Sequence, residues 1–248
     1  MTAHAWLDAR RKLQPPPAPP TARRTAAPNR SCLSQDQVLR WQQTAGNAAV
    51  AQRLAVQRYE VQDCGAGASS THPATQVHAA HGRARTMASI ADMESATSND
   101  PTVQALARKY FKITVPPVSN ADKKLWFGRV RQVLTAMSAS NSKTTYECEP
   151  AQSWTNGLCT KGSMAVTLLN IHLCPEWWNL ASLDDRAFVL LHEWAHRYGP
   201  SVNQVFETYC DAASFGTLPA GDLVAEPDAY AGYIFELVTG GAPSSAVC

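Results

Sequence analysis

Residues 190–199 read LLHEWAHRYG. On an α-helix, side chains four apart lie one above the other, so His192 and His196 can aim both imidazoles at a single metal ion. Glu193 is turned about 100° from His192, near enough to reach a water on that ion without displacing it. Two histidine ligands and a glutamate general base are what an HExxH helix supplies to a metal-dependent hydrolase. The wider stretch LDDRAFVLLHEWAHRYG is written as a helix. Ser182 or Asp184 can cap it, acidic residues occupy its first turn, Phe188, Leu191 and Ala195 recur at helical spacing, and Gly199-Pro200 ends it. The competing reading is a buried histidine pair beside an exposed glutamate.

A catalytic zinc takes three protein ligands and keeps one position open. Downstream of the motif the acids are Glu207, Asp211, Asp222, Glu226, Asp228 and Glu236, and no histidine follows His196. That excludes the three-histidine class and leaves an acidic third ligand to be found. The residues alone do not choose among them.

Working outward, the body is helix-rich. Helical patterns occupy about 76–96, about 101–113 and about 121–138, the last with Leu125, Trp126, Val130, Val133, Leu134 and Met137 on one broad face. KTTYECE and MAVTLLNIHLC are read as two strands forming a small hairpin, with Gly157 and Gly162 in the loop between them. Further helices are expected at about 183–198, 201–214 and 227–239. The fold class is therefore mainly α (α+β), with one small β-hairpin.

The first 60 residues differ from the rest. Residues 12–30, KLQPPPAPPTARRTAAPNR, are Pro, Ala and Arg with little to bury, and read as a disordered linker. Residues 34–58 follow as an amphipathic helix with Val38, Trp41, Ala45, Ala48, Ala49, Ala55 and Val56 among its apolar positions. Residues 1–58 hold nine basic residues against Asp8 and Asp36, whereas the remainder is net acidic although the whole chain carries +2. This places a domain boundary near residue 60, with a basic tail and leader at 1–60 and the functional domain at 61–248. No basic run interleaved with aromatics suggests nucleic-acid binding. No apolar run reaches membrane-spanning length, and the N-terminus lacks the apolar core of a secretory signal. Seven cysteines nevertheless favour an oxidising destination.

QQTAGNAAVAQRLAVQR, within residues 34–58, resembles the leader of cargo proteins loaded into bacterial extracellular contractile injection particles. That resemblance implies particle components as partners, loading in the producer's cytoplasm, and release outside or into a target cell. It reconciles the cysteines with the absence of a conventional signal. The body resembles the deuterolysin (aspzincin) metallopeptidases, which include the peptidyl-Lys metalloendopeptidases. NIHLCPEWW, LLHEWAH and EPDAYAGYIFEL occur in that family's order and spacing, over about residues 76–240. The resemblance implies a zincin-like fold and a zinc endopeptidase acting on protein or peptide substrates.

The same resemblance implies site roles. The family's third ligand is an Asp in a GTxDxxYG-type motif, which is absent here. Glu207 stands eleven residues after His196 and takes that place, with Asp211 or Asp228 as alternatives. The family's oxyanion-stabilising tyrosine maps closest to Tyr209, with Tyr198, Tyr230 and Tyr233 as further possibilities. Asp228 and Tyr230, in the closing segment, are implied to line the substrate pocket. Ala231 replaces the second acid of the lysine-specific branch, so lysine specificity is not carried over. A Cys148–Cys174 disulfide is also implied. A non-catalytic particle protein with a degenerate metal site, and a protease that trims its own tail, remain alternatives.

Overall fold

The computed structural model describes residues 59–62, 74–96, 99–140, 144–149, 159, 162–199 and 208–248, all within the unit Asn47–Cys248. The leader at 34–58, the basic segment before it and Glu207 lie outside the described residues. Among those described the order is β1 (Glu60–Gln62), α1 (Ala74–Ala96), α2 (Pro101–Phe111), α3 (Asn120–Leu125), a π-helical turn (Trp126–Val130), α4 (Arg131–Ser140), β2 (Thr145–Cys148), β3 (Ala165–Thr167), β4 (Ile171–Leu173), α5 (Pro175–Trp178), α6 (Leu183–Tyr198), a 3-10 turn (Phe215–Thr217), α7 (Ala220–Leu223) and α8 (Pro227–Thr239).

Helix α6 is the central element of this unit. Ser182 caps it by accepting the Asp185 amide at 2.9 Å, and Asp184 and Asp185 complement the dipole in its first turn. From Ala187 to His196 every residue is buried, as expected of a helix enclosed on all sides rather than lying on a surface. Helices α1, α4 and α8 pack around it. α1 presents Val77, Ala80, Ala84, Met87, Ala88 and Ala91, an i, i+3, i+4 stripe whose small side chains let the axes approach. Trp126, Val130, Val133, Leu134 and Met137 are fully buried, as their spacing predicts.

Polar ties join the layers. Arg83 of α1 forks onto Asp184 at 2.6 and 3.2 Å, while Arg131 and Thr135 of α4 meet Asp92 of α1. α2 is capped by Asp100, which accepts the Thr102 and Val103 amides with Pro101 at the first helical position. It crosses α8 at Gly232, where an added Cβ would collide with the Tyr110 ring.

The sheet has strand order β1-β2-β4-β3. β1 and β2 are parallel, β2 and β4 are parallel, and only β3 and β4 are antiparallel. The hairpin expected between KTTYECE and MAVTLLNIHLC is therefore corrected: the second run is itself the hairpin. It reverses at Leu168–Asn170, where the Leu168 amide reaches the Asn170 carbonyl at 2.9 Å and Leu169 is 87% exposed. An apolar Leu-Leu pair at the tip of a turn hides it from a periodicity reading. Tyr146, Ile171 and Leu173 face the core, and β1 and β3 are the edge strands among the described residues.

Two further expectations are corrected. A helix over 201–214 is not formed in its described part, because residues 208–214 make turns. Cys174 pairs with Cys159, at a Cα–Cα distance of 5.7 Å, and not with Cys148, which is disulfide-bonded elsewhere. Cys210 pairs with Cys248 across 38 residues. No helix among the described residues is long and apolar enough to cross a membrane.

Candidate metal and catalytic site

Four residues apart on α6, His192 and His196 bring their Nε2 atoms to 3.2 Å. Two nitrogens each about 2.0–2.1 Å from a tetrahedral zinc stand roughly 3.3 Å apart, so the pair already has the spacing of two ligands of one ion. Both histidines are buried. His192 Nδ1 lies 2.5 Å from Asp228 Oδ1, which leaves Nε2 as the nitrogen directed at a metal. The other Asp228 oxygen accepts the Cys210 amide at 2.7 Å. Asp228 is 2% exposed, in the first turn of α8.

Glu193 is buried as well, which excludes the reading of an exposed glutamate beside two core histidines. Its Oε2 has no hydrogen-bond partner among the described residues. A buried carboxylate oxygen left without a donor is costly, and such an atom fits a group that waits for water or a proton. The Glu193 carbonyl accepts from Thr167 Oγ1 at 3.3 Å, which links α6 to β3.

His192, Glu193 and His196 open into a cleft of about 560 Å³, within the usual range for ligand sites. β3 forms one wall and Ser245–Cys248 another, with Tyr209 and Asp211 also lining it. The Tyr209 ring lies nearly parallel to His192, 11° between planes and 6.2 Å between centroids, and is 57% exposed. The other tyrosines considered from sequence are committed elsewhere. Tyr230 donates to the Val224 carbonyl at 2.7 Å, Tyr233 bonds Ser95 and Tyr198 bonds Thr144. Tyr230 is fully buried outside the cleft lining, and burial raises its phenol above the ordinary value. The structure thus places Tyr230 in the core, outside the cleft lining, and Asp228 in that lining against His192.

Glu207, the implied third ligand, lies outside the described residues, and no described residue completes a three-ligand cluster around the histidine pair. Asp211 lines the cleft without joining such a cluster. A separate group of potential ligands, Glu147, Glu149 and His172, has its donor atoms within 4.8 Å of one another on β2 and β4 and just after β2. There the His172 Nδ1 already meets Glu149 at 2.7 Å and Glu147 at 3.3 Å. It lies outside the cleft lining.

No sequence pattern points to the Cys210 amide or to Ser245–Cys248 at this site. Both arrive through long-range contacts that leave no local pattern. The one signal is that six of the seven cysteines follow residue 60, an even number that can pair.

No protein-family model matches the chain, and no curated protein matches it. Among solved structures it is similar to a zinc peptidase from Grifola frondosa, with a TM-score of 0.50 and 16% identity, over 66% of this chain and 95% of that one. At that identity the likeness is one of fold. The chain shares the fold of a zinc peptidase.

Proposed function

We propose that the protein is a zinc-dependent endopeptidase whose general base is Glu193. The observation that carries this reading is the His192–His196 pair, with Nε2 atoms 3.2 Å apart, beside a buried Glu193 Oε2 that has no hydrogen-bond partner among the described residues, all three lining one cleft. His192 and His196 would hold the ion, with Glu207 as the third ligand by family resemblance. Zinc, when bound, supplies a Lewis acid that polarises a peptide carbonyl and makes water easier to deprotonate.

The chain's own residues do the rest. Asp228 fixes the ring orientation of His192. Glu193 takes a proton from the attacking water and passes it to the leaving amine nitrogen, so that its carboxylate is regenerated as the C–N bond breaks. Tyr209, at the cleft rim, donates its hydroxyl to the carbonyl oxygen as negative charge develops there. The edge of β3 offers an extended peptide a strand to lie along, close to the general base.

Glu193→Gln tests this reading. The amide keeps the size of the side chain but cannot accept the proton, so stoichiometric zinc should remain while cleavage of a quenched peptide falls by roughly a thousandfold or more. Full activity in that variant would end the reading.

Its biological setting is proposed on other grounds. The leader-like segment at 34–58 supports loading into a contractile injection particle and delivery of the peptidase as an effector. The Cys159–Cys174 and Cys210–Cys248 disulfides suit an oxidising destination. Co-purification of the chain with particles, lost on deletion of 34–58, is the outcome expected; unchanged loading would refute it.

A further inference from the structure

We infer that Ser245–Cys248 is a substrate-binding wall held against the catalytic cleft by the Cys210–Cys248 disulfide, and that it selects an apolar residue of the peptide. This rests on the peptidase reading and adds specificity to it.

The segment is fastened at both ends. Ser244 Oγ bonds Asp185 Oδ1 at 2.9 Å, in the first turn of α6. The Val247 and Cys248 amides both reach the Ser244 carbonyl at 3.1 Å, which closes a turn. Cys248 then bonds covalently to Cys210. Between these anchors Ser245, Ala246 and Val247 line the cleft, as β3 does. No regular secondary structure holds them, so the disulfide is the strongest restraint on where this wall stands.

The same bond reaches the chemistry. Cys210 follows Tyr209 directly, and its amide donates to the Asp228 carboxylate that orients His192. One cross-link therefore sets the position of the wall, the loop bearing Tyr209 and a donor to the histidine-orienting carboxylate.

The lining suggests what the wall selects. Ala246, Val247, Met164, Val166, Phe188 and Val189 contribute apolar surface. Among the described lining residues the acids are Glu193, the base, Asp228, with both oxygens engaged, and Asp211; none of these lining residues is a lysine or arginine. An apolar side chain can bury surface against these residues, whereas an acidic one beside them would be desolvated near the Asp211 carboxylate.

The experiment uses the full zinc-loaded chain and a quenched-peptide library varied on both sides of the cut. Unaltered protein should prefer apolar over acidic residues at one of those positions. Ala246 is exposed, so Ala246→Trp should fold; it should raise KM about tenfold and shift the preference toward smaller residues, with zinc content unchanged. Cys210→Ser/Cys248→Ser, made together so that no free thiol is left beside the metal, should also raise KM several-fold and broaden the preference. The Cys159–Cys174 bond remains in that variant as an internal control for oxidation. An active Ala246→Trp protein with unaltered KM and preference would overturn the wall. Wild-type KM and selectivity without the 210–248 bond would overturn the role of the disulfide. Absence of cleavage by the unaltered, zinc-loaded chain would overturn the peptidase reading and this inference with it.

Discussion

Asp228 Oδ1 and His192 Nδ1 stand 2.5 Å apart and join α8 to α6 across 36 residues of sequence. A carboxylate accepting from the far nitrogen of a ligand histidine fixes the tautomer, raises the basicity of the other nitrogen and holds the ring in plane with the ion. Loss of such a partner typically costs 10- to 100-fold in metal affinity. Asp228→Asn keeps the volume but cannot offer carboxylate oxygens to both His192 and the Cys210 amide. Zinc affinity, measured by competition with a chromogenic chelator, should fall on the order of 10- to 100-fold. An unchanged affinity would remove Asp228 from the site.

Tyr209 is set nearly parallel to His192 yet more than half exposed. A side chain kept for packing would be buried, as Tyr230 and Tyr233 are. Tyr209→Phe keeps the ring and deletes only the hydroxyl. Removing one oxyanion donor costs on the order of 100-fold in kcat, and KM should move little because the bond strengthens only as charge develops. A KM effect with intact kcat would make Tyr209 a binding residue instead.

What the sequence disclosed follows from how local each feature is. The motif helix, its Ser182 cap and the α4 core stripe were readable because period and capping act within one element. Glu193 and His196 were placed by spacing alone. The β3–β4 turn was missed because Leu168 and Leu169 carry no turn chemistry. The pattern over 201–214 suggests a helix because periodicity cannot show that the Cys210 amide and sulfur are held by Asp228 and Cys248. The partner of Cys174 depended on which loop cysteine came within reach, a property of the folded chain.

His81 makes stability depend on pH. It is 2% exposed, stacked on Tyr59 at 3.7 Å, edge-on to Trp194 and 2.9 Å from the Tyr146 hydroxyl. Burial first, then the charges of Arg85 and His78, lower its pKa to about 3. The unfolded chain takes up this proton near pH 6.5 and the folded chain resists it. The stability contribution is thus complete above about pH 6.5 and is lost as pH falls toward 3, by up to about 1.4 kcal/mol per pH unit. In chelator-treated protein, urea unfolding between pH 6 and 4 should show a slope that flattens in His81→Phe by about that amount. Parallel curves for the two proteins would contradict a buried neutral His81.

Gly232 gives the sharpest test of the packing. Replacing a mid-helix glycine by alanine ordinarily stabilises a helix by about 1 kcal/mol. Here the new Cβ would meet the Tyr110 ring, and that ring is held in place because its hydroxyl donates to Glu236 at 2.8 Å. Overpacking a close-packed contact costs about 1–3 kcal/mol, so Gly232→Ala should destabilise the protein, with the sign reversed from the helix rule. In Tyr110→Ala the obstacle is gone, and the same glycine substitution should become neutral or stabilising. Urea midpoints of the four proteins give the coupling directly, and purely additive effects would show that α2 and α8 do not meet at this point.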